Sequence, residues 1–115
     1  MAILAYITDL FFQAKVGETA HQVGADLKIV TSLYKFLPEL NNFPSMVLID
    51  LNAEGISPSA LISQIKEQSP DLPVVVYASH VQDELMQRAI QAGANEVLPK
   101  SKLSRDLPKL LSRFK

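Results

Sequence analysis

Met46-Val47-Leu48-Ile49-Asp50-Leu51 is a short, dense apolar run interrupted by one carboxylate. It lacks the polar alternation of a half-exposed strand, which predicts a strand covered on both faces. The same kind of run recurs on either side of it, each followed by a longer amphipathic segment. Upstream, Ala2 to Ile7 is apolar, and Asp9 offers a helix N-cap ahead of Phe12, Val16, Ala20 and Val23 on one helical face. Gly24 is the natural stop. Leu27 to Val30 is a second short strand, and Thr31 or Ser32 caps a short helix ending near Asn41 and Asn42.

Downstream, Ser57-Pro58 reads as N-cap and first helical residue, opening a helix through Leu61, Ile62 and Ile65 that Ser69-Pro70-Asp71 ends. Pro73 to Tyr77 is a fourth strand with three consecutive valines. Ser79 and Gln82 have capping-box spacing for a helix carrying Leu85, Met86, Ala89 and Ile90 and stopping at Gly93. Glu96 to Leu98 is a fifth strand. Leu107, Leu110, Leu111 and Phe114 are spaced for a last helix, which is expected to start near Asp106 because Pro108 belongs in a first turn. The pattern is (βα)5. Strands alternating with helices predict a parallel sheet with helices on both faces. Sites then form at the C-terminal strand ends, here the loops after Ile7, Asp50, Tyr77 and Leu98.

Composition narrows the chemistry. The chain has 115 residues, with 11 Lys plus Arg against 12 Asp plus Glu and a net charge of −1. That balance gives no electrostatic reason to expect nucleic acid or anionic lipid as the main partner. The absence of cysteine excludes disulfides, thiolate metal sites and cysteine nucleophiles. His21 and His80 are the two histidines, too few for a multi-histidine metal site. No apolar run approaches a membrane span and no signal peptide is evident, so no membrane association and a cytoplasmic location are expected. Residues 1–115 are expected to form one domain, since five β/α units consume nearly the whole chain.

Several residues at the strand ends carry candidate chemistry, each beside an ordinary structural reading. Asp50 could be a nucleophile, a metal ligand or a partner for a cation, or it could cap loop amides. Lys100 could reach toward Asp50 or a bound anion, or be a solvated loop lysine. Ser79 and the amides after it could hold a phosphate or carboxylate with His80 as a titratable donor, or Ser79 could simply cap the next helix. Lys100, Lys102 and Arg105 form a small basic cluster that either recognises an acidic group or is solvated. Phe11 falls off the apolar stripe of the first helix, either as an aromatic contact for a partner or as helix-edge packing. The glycines, Gly17, Gly24, Gly55 and Gly93, are scattered and form no phosphate-binding fingerprint.

Taken together, Met46-Val47-Leu48-Ile49-Asp50-Leu51 with Gly55 after it, Leu72-Pro73-Val74-Val75-Val76-Tyr77, and Ala92-Gly93-Ala94-Asn95-Glu96-Val97-Leu98-Pro99-Lys100 resemble a response-regulator receiver domain, the phospho-accepting module of two-component signalling. The resemblance implies a flavodoxin-like five-stranded sheet in the order 2-1-3-4-5. It implies Asp50 as phosphate acceptor and Lys100 as a contact to the phosphoryl oxygens. It also implies a signalling role in a phosphorelay rather than an enzyme acting on a free substrate.

The departures concern the same chemistry. The acidic pair that holds Mg²⁺ in receivers is matched by Ile7 and Thr8, with Asp9 one position late. Ala78 stands where the hydroxyl residue would be, and Ser79 after it is expected to point elsewhere by strand alternation. Val97 replaces the switch aromatic and Ser101 the proline after the lysine. Asp9 and Asp50 are what remains to ligate Mg²⁺, and no cofactor is assigned. The chain therefore reads as a stand-alone divergent, or pseudo-, receiver, in which Lys100 is expected to pair with an unmodified Asp50. Two alternatives stand beside it: an active receiver phosphorylated on Asp50, and a small-anion or metabolite-binding domain using Ser79, His80 and Lys100. The resemblance implies a protein partner, a histidine kinase or another signalling protein, and leaves a homodimer open. The face of the fourth helix, fifth strand and fifth helix, with Leu85, Arg88, Lys102 and Arg105, is the implied contact surface.

Overall fold

A computed structural model describes residues 1–80 and 82–115. The five strands are β1 (Ile3–Tyr6), β2 (Leu27–Val30), β3 (Met46–Asp50), β4 (Val74–Ala78) and β5 (Glu96–Pro99). The helices are α1 (Leu10–Val23), α2 (Leu33–Glu39), α3 (Pro58–Gln68), α4 (Asp83–Ala92) and α5 (Lys100–Phe114), with a 3-10 turn at Leu40–Asn42 after α2. All strand pairs are parallel, in the order β2-β1-β3-β4-β5. The expected (βα)5 architecture and strand order are the ones observed.

The central strands alternate cleanly between two cores. Met46 and Leu48 of β3, with Val75 and Tyr77 of β4, pack against Phe12, Val16 and Ala20 of α1 and Leu103, Leu107 and Leu111 of α5. Val47 and Ile49, with Val74, Val76 and Ala78, pack against Phe36 of α2, Leu61, Ile62 and Ile65 of α3 and Ala89 of α4. Both faces of β3 are thus covered, which is why its sequence shows no polar alternation. Alternation puts Asp50 on the α1/α5 side, opposite Tyr77 in the register.

Caps set the helix boundaries. Asp9 caps α1, and Gly24 ends it in the left-handed region at φ 74. Ser32 caps α2 through the amide of Lys35. Gly93 ends α4 at φ 111, a conformation that strains other residues, and a Cβ there would lie 3.1 Å from Lys66 Cγ and press that side chain aside. On the α1/α5 side, Lys15 bonds Ser104, and Lys115 Nζ donates to the carbonyl of Val23 at 2.9 Å.

Two helix starts differ from expectation. The last helix begins at Lys100, not near Asp106, and Pro108 lies in its interior. Leu103 is fully buried and extends the apolar stripe back by one turn from Leu107. Burying a leucine is worth roughly 1.5–3 kcal/mol, which is comparable with the ~3 kcal/mol that an interior proline costs. Pro108 itself is exposed, keeping its ring away from the core. The capping box at α4 is also not formed. Gln82 holds the N-cap position without a side-chain cap bond among the described residues, and the Ser79 hydroxyl is used elsewhere.

Candidate functional site

The order of strands reverses between β1 and β3, and a cleft opens at their C-terminal ends, where α/β sheets bind ligands. The cleft has a volume of about 430 Å³ and is lined by Thr8 and Asp9 after β1, Asp50, Asn52 and Glu54 at and after β3, Tyr77 and Ser79 from the end of β4, and Lys100 at the start of α5. Four of the residues singled out from sequence, Asp9, Asp50, Ser79 and Lys100, meet here. His80 is exposed and is not part of the lining.

Asp50 is 8% exposed. Its Oδ1 accepts the backbone N–H of Asn52 at 2.8 Å. Burial pushes its pKa up, opposed by the Asn52 amide and the nearby Lys100 charge and reinforced by the like charge of Asp9.

Asp9 carries two jobs. Its Oδ1 caps α1 by accepting the N–H groups of Phe11 at 2.9 Å and Phe12 at 3.4 Å. Its Oδ2 takes Lys100 Nζ at 2.8 Å. The Lys100 hydrogen bond and the cap amides hold the Asp9 pKa below the usual carboxylate value. The expected Lys100–Asp50 pair is therefore replaced by a Lys100–Asp9 pair. The physical reason is local: the helix start fixes Asp9 with one oxygen turned outward, partly exposed, where a lysine loses less hydration than at buried Asp50. Lys100 Nζ also lies 4.8 Å from the centroid of the Phe12 ring, within cation–π range.

Beneath Lys100 the stack continues inward. Phe12 and Tyr77 have ring centroids 5.0 Å apart. Tyr77 is 1% exposed, and its hydroxyl is buried with no partner meeting hydrogen-bond geometry among the described residues. Burial raises its pKa, and the charges of Asp50 and Asp9 raise it further.

Ser79 reaches the cleft although strand alternation would turn it away, because the chain leaves the strand after Ala78. Its backbone N–H and its hydroxyl both donate to Asn52 Oδ1, at 2.8 and 2.7 Å, tying the loop after β3 to the loop after β4. Ala78 is fully buried and brings no hydroxyl to the site.

The donor set does not fit a divalent cation well. Mg²⁺ is held by carboxylates with free oxygens plus waters and ligand. Both Asp9 oxygens are already engaged, which leaves buried Asp50 and exposed Glu54 as the other carboxylates lining the cleft. No group of three or more His, Cys, Asp or Glu side chains suited to a metal occurs among the described residues.

Sequence reading missed Asn52, Glu54 and Tyr77 as lining residues, whereas Thr8 lies where the match to the acidic pair put it. Tyr77 was findable, since parallel pairing of β3 with β4 sets it opposite Asp50. Asn52 carried no residue-level signal beyond following Asp50 by two positions. Away from the cleft, Phe11 is 90% exposed and Leu10 75% exposed, so helix-edge packing is not what Phe11 does. On the α4-β5-α5 side, Leu85 is half-buried, Arg88 is exposed and pairs with Glu84, and Arg105 pairs with Asp106. Lys102 lines a groove of about 540 Å³ with Glu96, Leu98, Lys109 and Arg113 among its other walls.

A parallel sheet in this order, with an aspartate at the end of β3 and a lysine after β5, defines a receiver-type α/β module. The response regulator receiver domain family model matches residues 9–112, and the chain belongs to that family. Among curated proteins it is 37% identical over 57 residues to the DNA-binding transcriptional regulator NtrC of Klebsiella pneumoniae, a match covering 50% of this chain and 12% of that protein. The chain thus spans about an eighth of this relative's length. Among solved structures, a CheY-like response regulator receiver domain protein from Methanospirillum hungatei JF-1 superposes with a TM-score of 0.84 at 18% identity, covering 97% of this chain and 90% of that one. The signal receiver domain of a DNA binding response regulator protein from Colwellia psychrerythraea 34H gives 0.82 at 19% identity, covering 96% and 97%. These structural likenesses concern the fold. No helix among the described residues is long and apolar enough to cross a membrane.

Proposed function

We propose that this receiver domain is a divergent one that works by binding other signalling proteins without Mg²⁺-dependent phosphorylation of Asp50. The observation that carries this reading is the state of Asp9: both its oxygens are bound, one to the first amides of α1 and one to Lys100. Phosphoryl transfer needs charge compensation at the transferring group, and a divalent cation is the usual source. Here the nearby acidic group is neutralised by the lysine, and Ala78 offers no hydroxyl to a phosphoryl oxygen. The partner is a protein, a histidine kinase or another signalling component. The contact surface is the α4-β5-α5 face with Leu85, Arg88, Lys102 and Arg105, together with exposed Phe11 beside the cleft. The near-neutral charge supports a protein partner for this chain rather than nucleic acid. DNA binding in the relative's name describes a protein of which this chain spans 12%.

The experiment is incubation with a small phosphodonor and Mg²⁺, followed by intact-mass measurement. The expected result is no phosphoryl increment. An increment on the unaltered chain that disappears in Asp50→Asn would overturn the reading and restore Asp50 as a working acceptor.

A further inference from the structure

Tyr77 is a residue for which the reading above has no use. It ends β4 directly opposite Asp50, and its ring is fixed against Phe12 on the same side of the sheet. Both side chains line the same cleft, and the buried Tyr77 hydroxyl has no hydrogen-bond partner among the described residues. Leaving a buried hydroxyl unpaired costs free energy that a phenylalanine at the same place would not incur. The hydroxyl therefore needs an acceptor within reach. Asp9 has both oxygens engaged. Among the described residues Asp50 takes one hydrogen bond, from the Asn52 amide, and an ionised carboxylate has room for several more. Asp50 is the neighbour of Tyr77 across the sheet in the same cleft, and a charge-assisted bond is the stronger kind.

We propose that Tyr77 is a positioning residue for Asp50, its hydroxyl donating to the Asp50 carboxylate and compensating that buried charge from within the sheet. The compensation that a cation would bring from the cleft comes instead from a side chain of the protein. A group arriving from the cleft to engage Asp50 must then compete with a neighbour that is already in place. This inference rests on reading the site as one that does not take up phosphate.

Proton NMR at neutral pH tests it on the intact chain. A hydroxyl proton held in a charge-assisted bond exchanges slowly with water and resonates downfield. The expected result is such a proton on Tyr77, moved upfield in Asp50→Asn, where the acceptor is neutral. In Tyr77→Phe, which removes one oxygen atom and no packing surface, the side-chain carboxyl carbon signal of Asp50 is expected to move while those of Asp26 and Asp71 stay in place. A Tyr77 hydroxyl proton indifferent to Asp50→Asn, or an Asp50 carboxyl signal unmoved in Tyr77→Phe, would overturn the proposal. If Tyr77→Phe does not fold, the first measurement decides alone. Phosphate uptake by the unaltered chain is a separate result: it would sink the reading of the site, whereas an unmoved Asp50 signal sinks only the role of Tyr77.

Discussion

Lys100 Nζ rests 2.8 Å from Asp9 Oδ2, across 91 residues of sequence, while Asp50 lies deeper in the same cleft with the backbone amide of Asn52 on its carboxyl group. The cation in this site serves the helix cap rather than the buried acid. The two carboxyls consequently respond to pH in opposite ways.

Burial lifts the Asp50 pKa, so the folded chain holds that proton more tightly than the unfolded one does. Stability from this group therefore declines as pH rises from the unfolded carboxyl value, ~3.9, through the higher folded midpoint, and stays flat beyond it. Asp50→Asn keeps the acceptor for the Asn52 amide and removes the buried charge. It is expected to raise stability at pH 7 by on the order of 1 kcal/mol, with the difference vanishing in acid. Urea unfolding of both proteins at pH 7 and below pH 4 checks this; equal midpoints at pH 7 would contradict it.

Asp9 behaves in the reverse sense. Its folded pKa is depressed, first by the Lys100 hydrogen bond, so its contribution is present above the unfolded value and is lost as pH falls through the folded one. Lys100→Ala is expected to bring the Asp9 midpoint back up toward the ordinary carboxylate value while leaving the cap amides bound. Carboxyl carbon NMR across an acid titration reads this directly. Since both side chains are about a third exposed, the effect of Lys100→Ala on stability should shrink as salt is added.

Neighbouring phenylalanines should part company. Phe12 is 4% exposed and packs on Tyr77, whereas Phe11 is 90% exposed. Phe12→Ala is expected to cost about 3–5 kcal/mol. Phe11→Ala should stay within about 0.5 kcal/mol of the parent while weakening any partner that docks beside the cleft. Thermal unfolding of the two variants separates them, and a large loss in Phe11→Ala would remove it from the contact surface.

Pro108 sits inside α5 on its exposed side. Pro108→Ala restores the missing N–H and is expected to stabilise the chain by about 2 kcal/mol, the helix-interior penalty less the loosening of the unfolded chain. A calorimetric midpoint that does not rise would mean that the helix has already absorbed the proline at no cost.

Asn52 joins two loops through one oxygen. Asn52→Ala leaves the Ser79 amide and hydroxyl without that acceptor and is expected to cost about 1 kcal/mol. Hydrogen exchange at the Ser79 amide should accelerate, while amides in the centre of β4 keep their protection. Unchanged exchange at Ser79 would show that the loop is held by other means.

The fold was legible because its signals were local and redundant. The apolar density of Met46–Ile49 and of Val74–Val76 announced strands buried on both faces, and Asp9, Ser32, Gly24 and Gly93 marked helix ends that the structure uses as such. The start of α5 was misjudged because a local rule about Pro108 was outweighed by distant packing of Leu103, which no window of sequence contains. In the site, Asp50 and Lys100 were legible from their places after strands. Their pairing was not, since a lysine chooses among carboxylates by depth and orientation. Tyr77 and Asn52 were missed because each becomes part of the site only through an opposing strand or loop.

The contacts along the α1/α5 side reach further than the cleft. Lys100 on Asp9, Lys15 on Ser104 and Lys115 on the carbonyl of Val23 form three lysine stitches down one seam, at its top, middle and bottom. These bonds add to the buried packing of Phe12, Val16 and Ala20 with Leu103, Leu107 and Leu111 that holds the first and last helices side by side. At the top of that seam, in the first turn of α1, Leu10 and Phe11 stand clear of the surface.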